Sequence, residues 1–134
     1  MQTKKYIRKS KLLAIKDSDI LVLEKNKNSK RYVLAGGFLK KGESPEQALV
    51  REVQEETGVN LIAGDVKYYS SSMIIGKKKE EIRYYYLLLN NNLEFSNMEP
   101  QNFKSVKWVK WTKAMKYLNK HDKNTVERFY NHKI

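Results

Sequence analysis

Residues 36–59 read Gly36-Gly37-Phe38-Leu39-Lys40-Lys41-Gly42-Glu43-Ser44-Pro45-Glu46-Gln47-Ala48-Leu49-Val50-Arg51-Glu52-Val53-Gln54-Glu55-Glu56-Thr57-Gly58-Val59. Ser44 suits an N-cap, Pro45 the first helical position, and Gln47 can close a capping box. Gly58 is free to adopt the left-handed conformation that ends a helix. The signals predict a helix from Pro45 to Thr57. At roughly 100° per residue Glu52, Glu55 and Glu56 share one arc, while Leu49, Val50 and Val53 fall in the neighbouring arc and face a core. Ala48 and Pro45, both small, fall on the carboxylate side, and Arg51 stands one turn before Glu55.

Most Glu-rich helix faces are simply solvated. This one is locally unfavourable: Glu55 and Glu56 lie in the last turn, where the helix dipole opposes anions, and like charges at i,i+4 repel. Such a conflict is expected at functional sites and implies a compensating cation. All-oxygen carboxylate donors favour Mg²⁺ or Mn²⁺. The preceding Gly36-Gly37 pair, after the apolar run Tyr32 to Ala35, reads as a turn whose backbone can approach a metal or phosphate closely.

From Gly37 to Val59 the residues fit G-x5-E-x7-R-E-U-x-E-E-x-G-U, with U apolar. A chance match has odds of about one in 10⁹ per start point at ordinary residue frequencies. The pattern resembles the signature of the Nudix hydrolases (MutT-like). The resemblance implies an α/β Nudix fold, a mixed β-sheet sandwiched between α-helices (α/β/α). It implies hydrolysis of a pyrophosphate bond in a nucleoside diphosphate linked to another group. Glu52, Glu55, Glu56 and the Gly36 carbonyl would hold the metal. Glu52 or Glu99, the latter in a later loop, would accept the proton of the attacking water, with Arg51 and Glu43 as supports. The family often has Pro where this chain has Ala35, and Trp where it has Tyr32.

The resemblance also bears on substrate. The Pro associated with ADP-ribose hydrolysis is absent, with Met73 and Ile74 in that region. Ile74-Ile75-Gly76 stands where dinucleoside polyphosphate hydrolases carry a Tyr, and the motifs of NADH pyrophosphatases and coenzyme A hydrolases are missing. Nucleoside triphosphates, oxidised ones included, remain as the expected substrates. RNA 5′-end trimming and a non-catalytic nucleotide or RNA sensor are the alternatives. Tyr32, Phe38, Tyr84 and Tyr86 are the candidates for substrate binding, Tyr84 and Tyr86 sharing one strand face.

Elsewhere the chain is less specific. Its 134 residues suit one domain spanning 1–134. With no Cys, disulfides and thiolate chemistry are excluded. The N-terminus lacks the apolar core of a signal peptide, and no run is long enough to span a membrane, so a cytoplasmic protein is expected. A homodimer is left open. The net charge of +12 suits polyanionic partners or a merely basic surface. Lys77-Lys78-Lys79 reads as a hairpin tip, and Lys110, Lys113, Lys116 and Lys120 recur at helical spacing. Strands are expected at 6–15, 20–24, 31–34, 66–75, 82–89 and 106–111. A short helix is expected after Thr112, and a last helix capped at Asn124. His121 and His132 read as surface residues.

Overall fold

The computed structural model describes residues 4–89 and 92–132. Strands β1 (Lys5–Lys16) and β2 (Asp19–Lys25) form a hairpin. Asp17 takes φ 55° at its tip, a left-handed conformation that Asp tolerates. The expected strand at 31–34 is instead divided: β3 (Tyr32–Val33) pairs with β2, and β4 (Ala35–Phe38) with β1. The chain changes partner at Leu34, so the glycine pair lies within a strand and not in a turn. Helix α1 (Pro45–Thr57) follows, then β5 (Lys67–Ile75), β6 (Lys79–Leu89), β7 (Phe103–Lys110), a short α2 (Trp111–Ala114) and α3 (Lys120–Asn131).

β1 is the spine. It runs parallel to β6 on one side and meets β4, then β2, antiparallel on the other. β5 pairs with the outer side of β6, and β7 with β2. Leu12 to Ile15 are buried on both faces of β1, because helices cover both. On the α1 face Leu12, Ala14, Leu21, Leu23 and Tyr86 pack with Leu49 and Val53. On the other face Leu13, Ile15, Ile20, Val22 and Tyr85 pack with Leu118 and Val126. The architecture is the mixed sheet between helices expected from the sequence. No helix among the described residues is long and apolar enough to cross a membrane.

Two further readings differ from expectation. α3 starts at Lys120 because Asn119, not Asn124, caps it, its side chain accepting from the Asp122 amide at 3.0 Å. The lysine row is split between the end of β7, α2, a loop and α3, so its helical spacing does not describe one helix face. Lys77 and Lys78 do lie at the β5–β6 tip.

Candidate active site

The α1 boundaries are those its caps dictate. The Gln47 amide donates to Ser44 Oγ at 3.1 Å, the Gln47 side chain accepts from the Ser44 amide at 2.9 Å, and Gly58 ends the helix at φ 78°. Ser10 Oγ donates to the Pro45 carbonyl at 2.6 Å, tying the helix start to β1. Ala48 is fully buried. Its small size serves close helix–sheet packing.

That packing sets the carboxylates against the glycine pair. The Gly36 amide donates to Glu56 Oε1 at 2.8 Å. Gly36 has φ 135°, and a Cβ there would lie 2.0 Å from the Ser10 carbonyl oxygen. A Cβ on Gly37 would lie 2.6 Å from the Glu52 carboxyl carbon. Gly36 is therefore required by the strand's own geometry, whereas a side chain at position 37 would have to displace the Glu52 carboxylate. Burial, reinforced by the charges of Glu52 and Glu99 and only partly offset by the Gly36 amide and Lys11, pushes the Glu56 carboxyl up to about 8. Burial also raises Glu52, against the pull of Arg51.

Arg51 is the hub beside them. Nε and Nη2 donate to the two Glu43 oxygens at 2.8 and 3.0 Å, Nη2 also to the Phe38 carbonyl at 2.9 Å, and Nη1 to Glu52 at 2.9 Å. The expected Glu55 contact exists but is the longest, at 3.5 Å. The Arg51 guanidinium and the Lys40 amide hold Glu43 down at about 2. Arg51 thus fastens the β4–α1 loop to the helix and restrains Glu52.

A cavity of about 680 Å³ opens over this corner. Glu52, Glu56, Glu99, Gly36, Gly37 and Phe38 border it. Glu55 does not, and its carboxylate is 44% exposed. Glu99 reaches the cavity from the segment before β7. Three of the aromatic candidates are placed elsewhere. Tyr86 is buried under α1, Tyr84 is half-buried beside Arg8, and Tyr32 is buried edge-on against Tyr117 on the α3 face. Strand alternation gave their parity correctly, but packing assigns those faces to the cores. Phe38 is half-exposed, with Lys9 Nζ 4.6 Å from its ring centre.

The remaining lining was not singled out from the sequence. Lys9, Lys11, Lys25, Lys27, Arg31 and Arg83 face the cavity. Lys11 is buried, donates to the Leu34 carbonyl at 3.3 Å, and is held below its ordinary value by burial against the opposing charges of Asp122 and Glu56. Arg83 is fixed by Glu81, Asn119 and the fully buried Asp122. A Lys opening the apolar run Leu12 to Ile15 was the one available signal.

A divalent cation suits this donor chemistry. A buried carboxylate with raised proton affinity, two further carboxylates nearby and glycine backbone alongside form an all-oxygen donor environment. Among the described residues no three acidic or histidine side chains are already gathered as a ligand set. Glu52 and Glu55 are turned towards Arg51.

Known proteins share this fold. The fold is similar to the MutT NUDIX hydrolase of Burkholderia pseudomallei, with TM-score 0.79 and 19% identity, over 92% of this chain and 98% of that one. It is similar to the MutT protein of Methanosarcina mazei, with TM-score 0.76 and 21% identity, over 98% and 97%. In sequence, 46 residues are 44% identical to the ADP-ribose pyrophosphatase of Methanocaldococcus jannaschii, or 33% of this chain and 27% of that relative's length. Members of the family these relatives represent generally use divalent metals. The NUDIX domain model matches residues 7–129, nearly the whole chain, and with the carboxylate helix set against its glycine pair this chain belongs to the NUDIX family of hydrolases.

Proposed function

We propose that this hydrolase cleaves a pyrophosphate bond of a nucleoside triphosphate, oxidised ones included, using Mg²⁺ or Mn²⁺, in a single cytoplasmic domain. The carrying observation is that Glu52, Glu56, Glu99 and the glycine pair line one cavity together with lysine and arginine side chains. Glu52, Glu55, Glu56 and the Gly36 carbonyl are the residues that would hold the ion. A bound divalent cation supplies neutralisation of phosphate charge and a lowered pKa for a coordinated water.

The chain's own residues do the rest. Glu52, with proton affinity raised by burial and by the Glu55 and Glu99 charges, is suited to accept a proton from water, and Glu99 is the other carboxylate in reach of the cavity. Arg51 orients Glu52 and the loop carrying Phe38. Lys9, Lys25, Lys27 and Arg31 offset the negative charge of the phosphates. Phe38 offers a ring face for a base.

The likeness to an ADP-ribose pyrophosphatase is local, and ADP-ribose shares the diphosphate bond, so it belongs among the substrates tested. The experiment is product identification by mass across normal and oxidised triphosphates, ADP-ribose, dinucleoside polyphosphates and 5′-triphosphate RNA. It is run with Mg²⁺ or Mn²⁺, beside Glu55→Gln. Metal-dependent cleavage of triphosphates, lost in the variant, supports the proposal. Turnover of ADP-ribose alone would replace the substrate, and no turnover by folded, metal-binding protein would favour the sensor.

A further inference from the structure

Among the described residues the sheet ends in two edges of different character. β7 pairs only with β2 and carries Lys104, Lys107 and Lys110. Charged side chains, lysines above all, keep an edge strand from pairing with another chain. β5 is the opposite edge and pairs only with β6. From Tyr68 to Ile75 it reads Tyr-Tyr-Ser-Ser-Ser-Met-Ile-Ile, without one charge, in a chain where 31% of residues are charged. It bulges between Tyr68 and Ser70, then pairs residue for residue with β6 from Ser70 to Ile75. That stretch is a regular edge whose outer N–H and C=O groups have no strand partner among the described residues.

Beside that edge one face of the sheet is bare. α1 starts at Ser10, whose Oγ donates to the Pro45 carbonyl, and covers the face from there to Leu12 and Tyr86. In the rows beyond, Ile82 of β6 lies between Arg8 and Met73, and Glu80 between Tyr6 and Ile75. Tyr6, Met73 and Ile75 are 72%, 58% and 68% exposed. Large apolar side chains exposed together mark a binding surface. Charge decides what binds there. At net +12, two copies of the chain repel over most of their surface. Along Tyr68–Ile75 they do not, because any antiparallel register within this stretch sets uncharged residues against uncharged ones. A strand laid antiparallel to its own copy about a two-fold axis is self-complementary, and one such pairing uses up the edge and closes the assembly. An acidic partner finds no cation on this stretch.

We infer that two copies of this chain associate by antiparallel pairing of β5 with β5, which continues one sheet across the dimer and sets Met73 and Ile75 of each copy beside the other's strand. No residue of β5 borders the cavity at the carboxylate corner, so that cavity stays open in both copies. The remaining surfaces repel, so added salt tightens the dimer by screening them. Salt would loosen the hold of an oppositely charged partner.

The test is sedimentation velocity of the wild type across micromolar concentrations, at low and at high salt. Beside it run the double variant Met73→Lys, Ile75→Lys and, separately, Tyr6→Lys. All three side chains are exposed, so replacing them leaves the fold intact, and circular dichroism checks this. Wild type is expected to pass from one chain mass to two as concentration rises, and at lower concentration in high salt. The double variant is expected to associate about tenfold or more weakly, because like charges then face each other. Tyr6→Lys should change little, since β1 lies two strands in from the edge. Hydrogen exchange of β5 amides should slow on association in the wild type and not in the double variant. A wild type that stays monomeric at every concentration overturns the inference. So does a dimer that survives the two β5 lysines, or one that Tyr6→Lys breaks, which would put the interface on the bare face. Association loosened by salt, or growth beyond two copies, overturns it too.

Discussion

Glu52 lies where the side chain of any residue but glycine at position 37 would begin: a Cβ on Gly37 would be 2.6 Å from its carboxyl carbon. Gly37→Ala therefore displaces a carboxylate while leaving the strand's own geometry tolerable. Turnover is expected to fall about 100-fold, the cost of misplacing a catalytic group by an ångström, with little change in melting temperature. Gly36→Ala should do the reverse first. Its φ of 135° and the Ser10 carbonyl at 2.0 Å oppose a side chain, so thermal unfolding should show a loss of about 1–3 kcal/mol or more. Equal melting temperatures for the two variants would contradict this division.

Arg51 makes a paired contact with Glu43 and single contacts with Glu52 and Phe38. A lysine keeps the charge but not the fork. Arg51→Lys and Arg51→Ala are both expected to lower kcat/KM by about 10–100-fold, as loss of a ligand-orienting group does. Recovery of full activity by the lysine variant would show that only charge matters there.

The metal-free protein should lose stability as pH rises. Burial places the Glu56 carboxyl at about 8, against 4.5 for an ordinary Glu. Between those values the folded chain holds a proton that the unfolded chain has released. This contribution is complete below about 4.5 and is lost as pH climbs through about 8. Lys11, held below its ordinary value of 10.5, acts oppositely: its contribution is present above 10.5 and is lost as pH falls through its lowered value. The melting temperature of chelator-treated protein should fall from about pH 5 to about pH 8, and Glu56→Gln should flatten the trend. A rise in the wild type over that interval would rule out Glu56 as the dominant group.

Asp122 is fully buried and accepts from Arg83 at 3.1 Å, Tyr85 at 2.6 Å and Asn119 at 2.9 Å. Asp122→Ala leaves the Arg83 guanidinium, itself only 12% exposed, without its counter-charge. Urea unfolding should show a loss of about 3–5 kcal/mol. Asp122→Asn, which keeps the shape and an acceptor oxygen, should cost less.

The helix and its carboxylates were legible because their determinants are local: the Ser44 cap, the Gly58 stop and one-turn spacings all lie within the helix's own residues. The alternation of Tyr84, Tyr85 and Tyr86 was equally readable. Which face of β6 borders a cavity was not, because that depends on α1 and α3 docking from opposite sides. Lys11, Arg83 and Asn119 escaped notice because they meet only through parallel pairing of β1 with β6 and the docking of α3. The start of α3 was misplaced because Asn119 caps it while Asp122 is drawn inward by Arg83 and Tyr85, partners far away in sequence.

That same parallel pairing imposes an order on how the molecule comes into being. Lys5 lies beside Lys79 and Ile15 beside Leu89, so the central pair of strands closes only after more than half the chain has been made. Local contacts form first and distant ones are slow, because loop closure must precede their reward. On the ribosome, the β1–β2 hairpin, β4 and α1 assemble while one long flank of β1 stays open, and the arrival of β6 is the committing event. Pulsed hydrogen exchange during refolding should therefore protect α1 amides before those of β6. The carboxylate helix precedes part of the cavity it will serve, and a nascent chain released before residue 83 would carry the signature and Lys11 without Arg83.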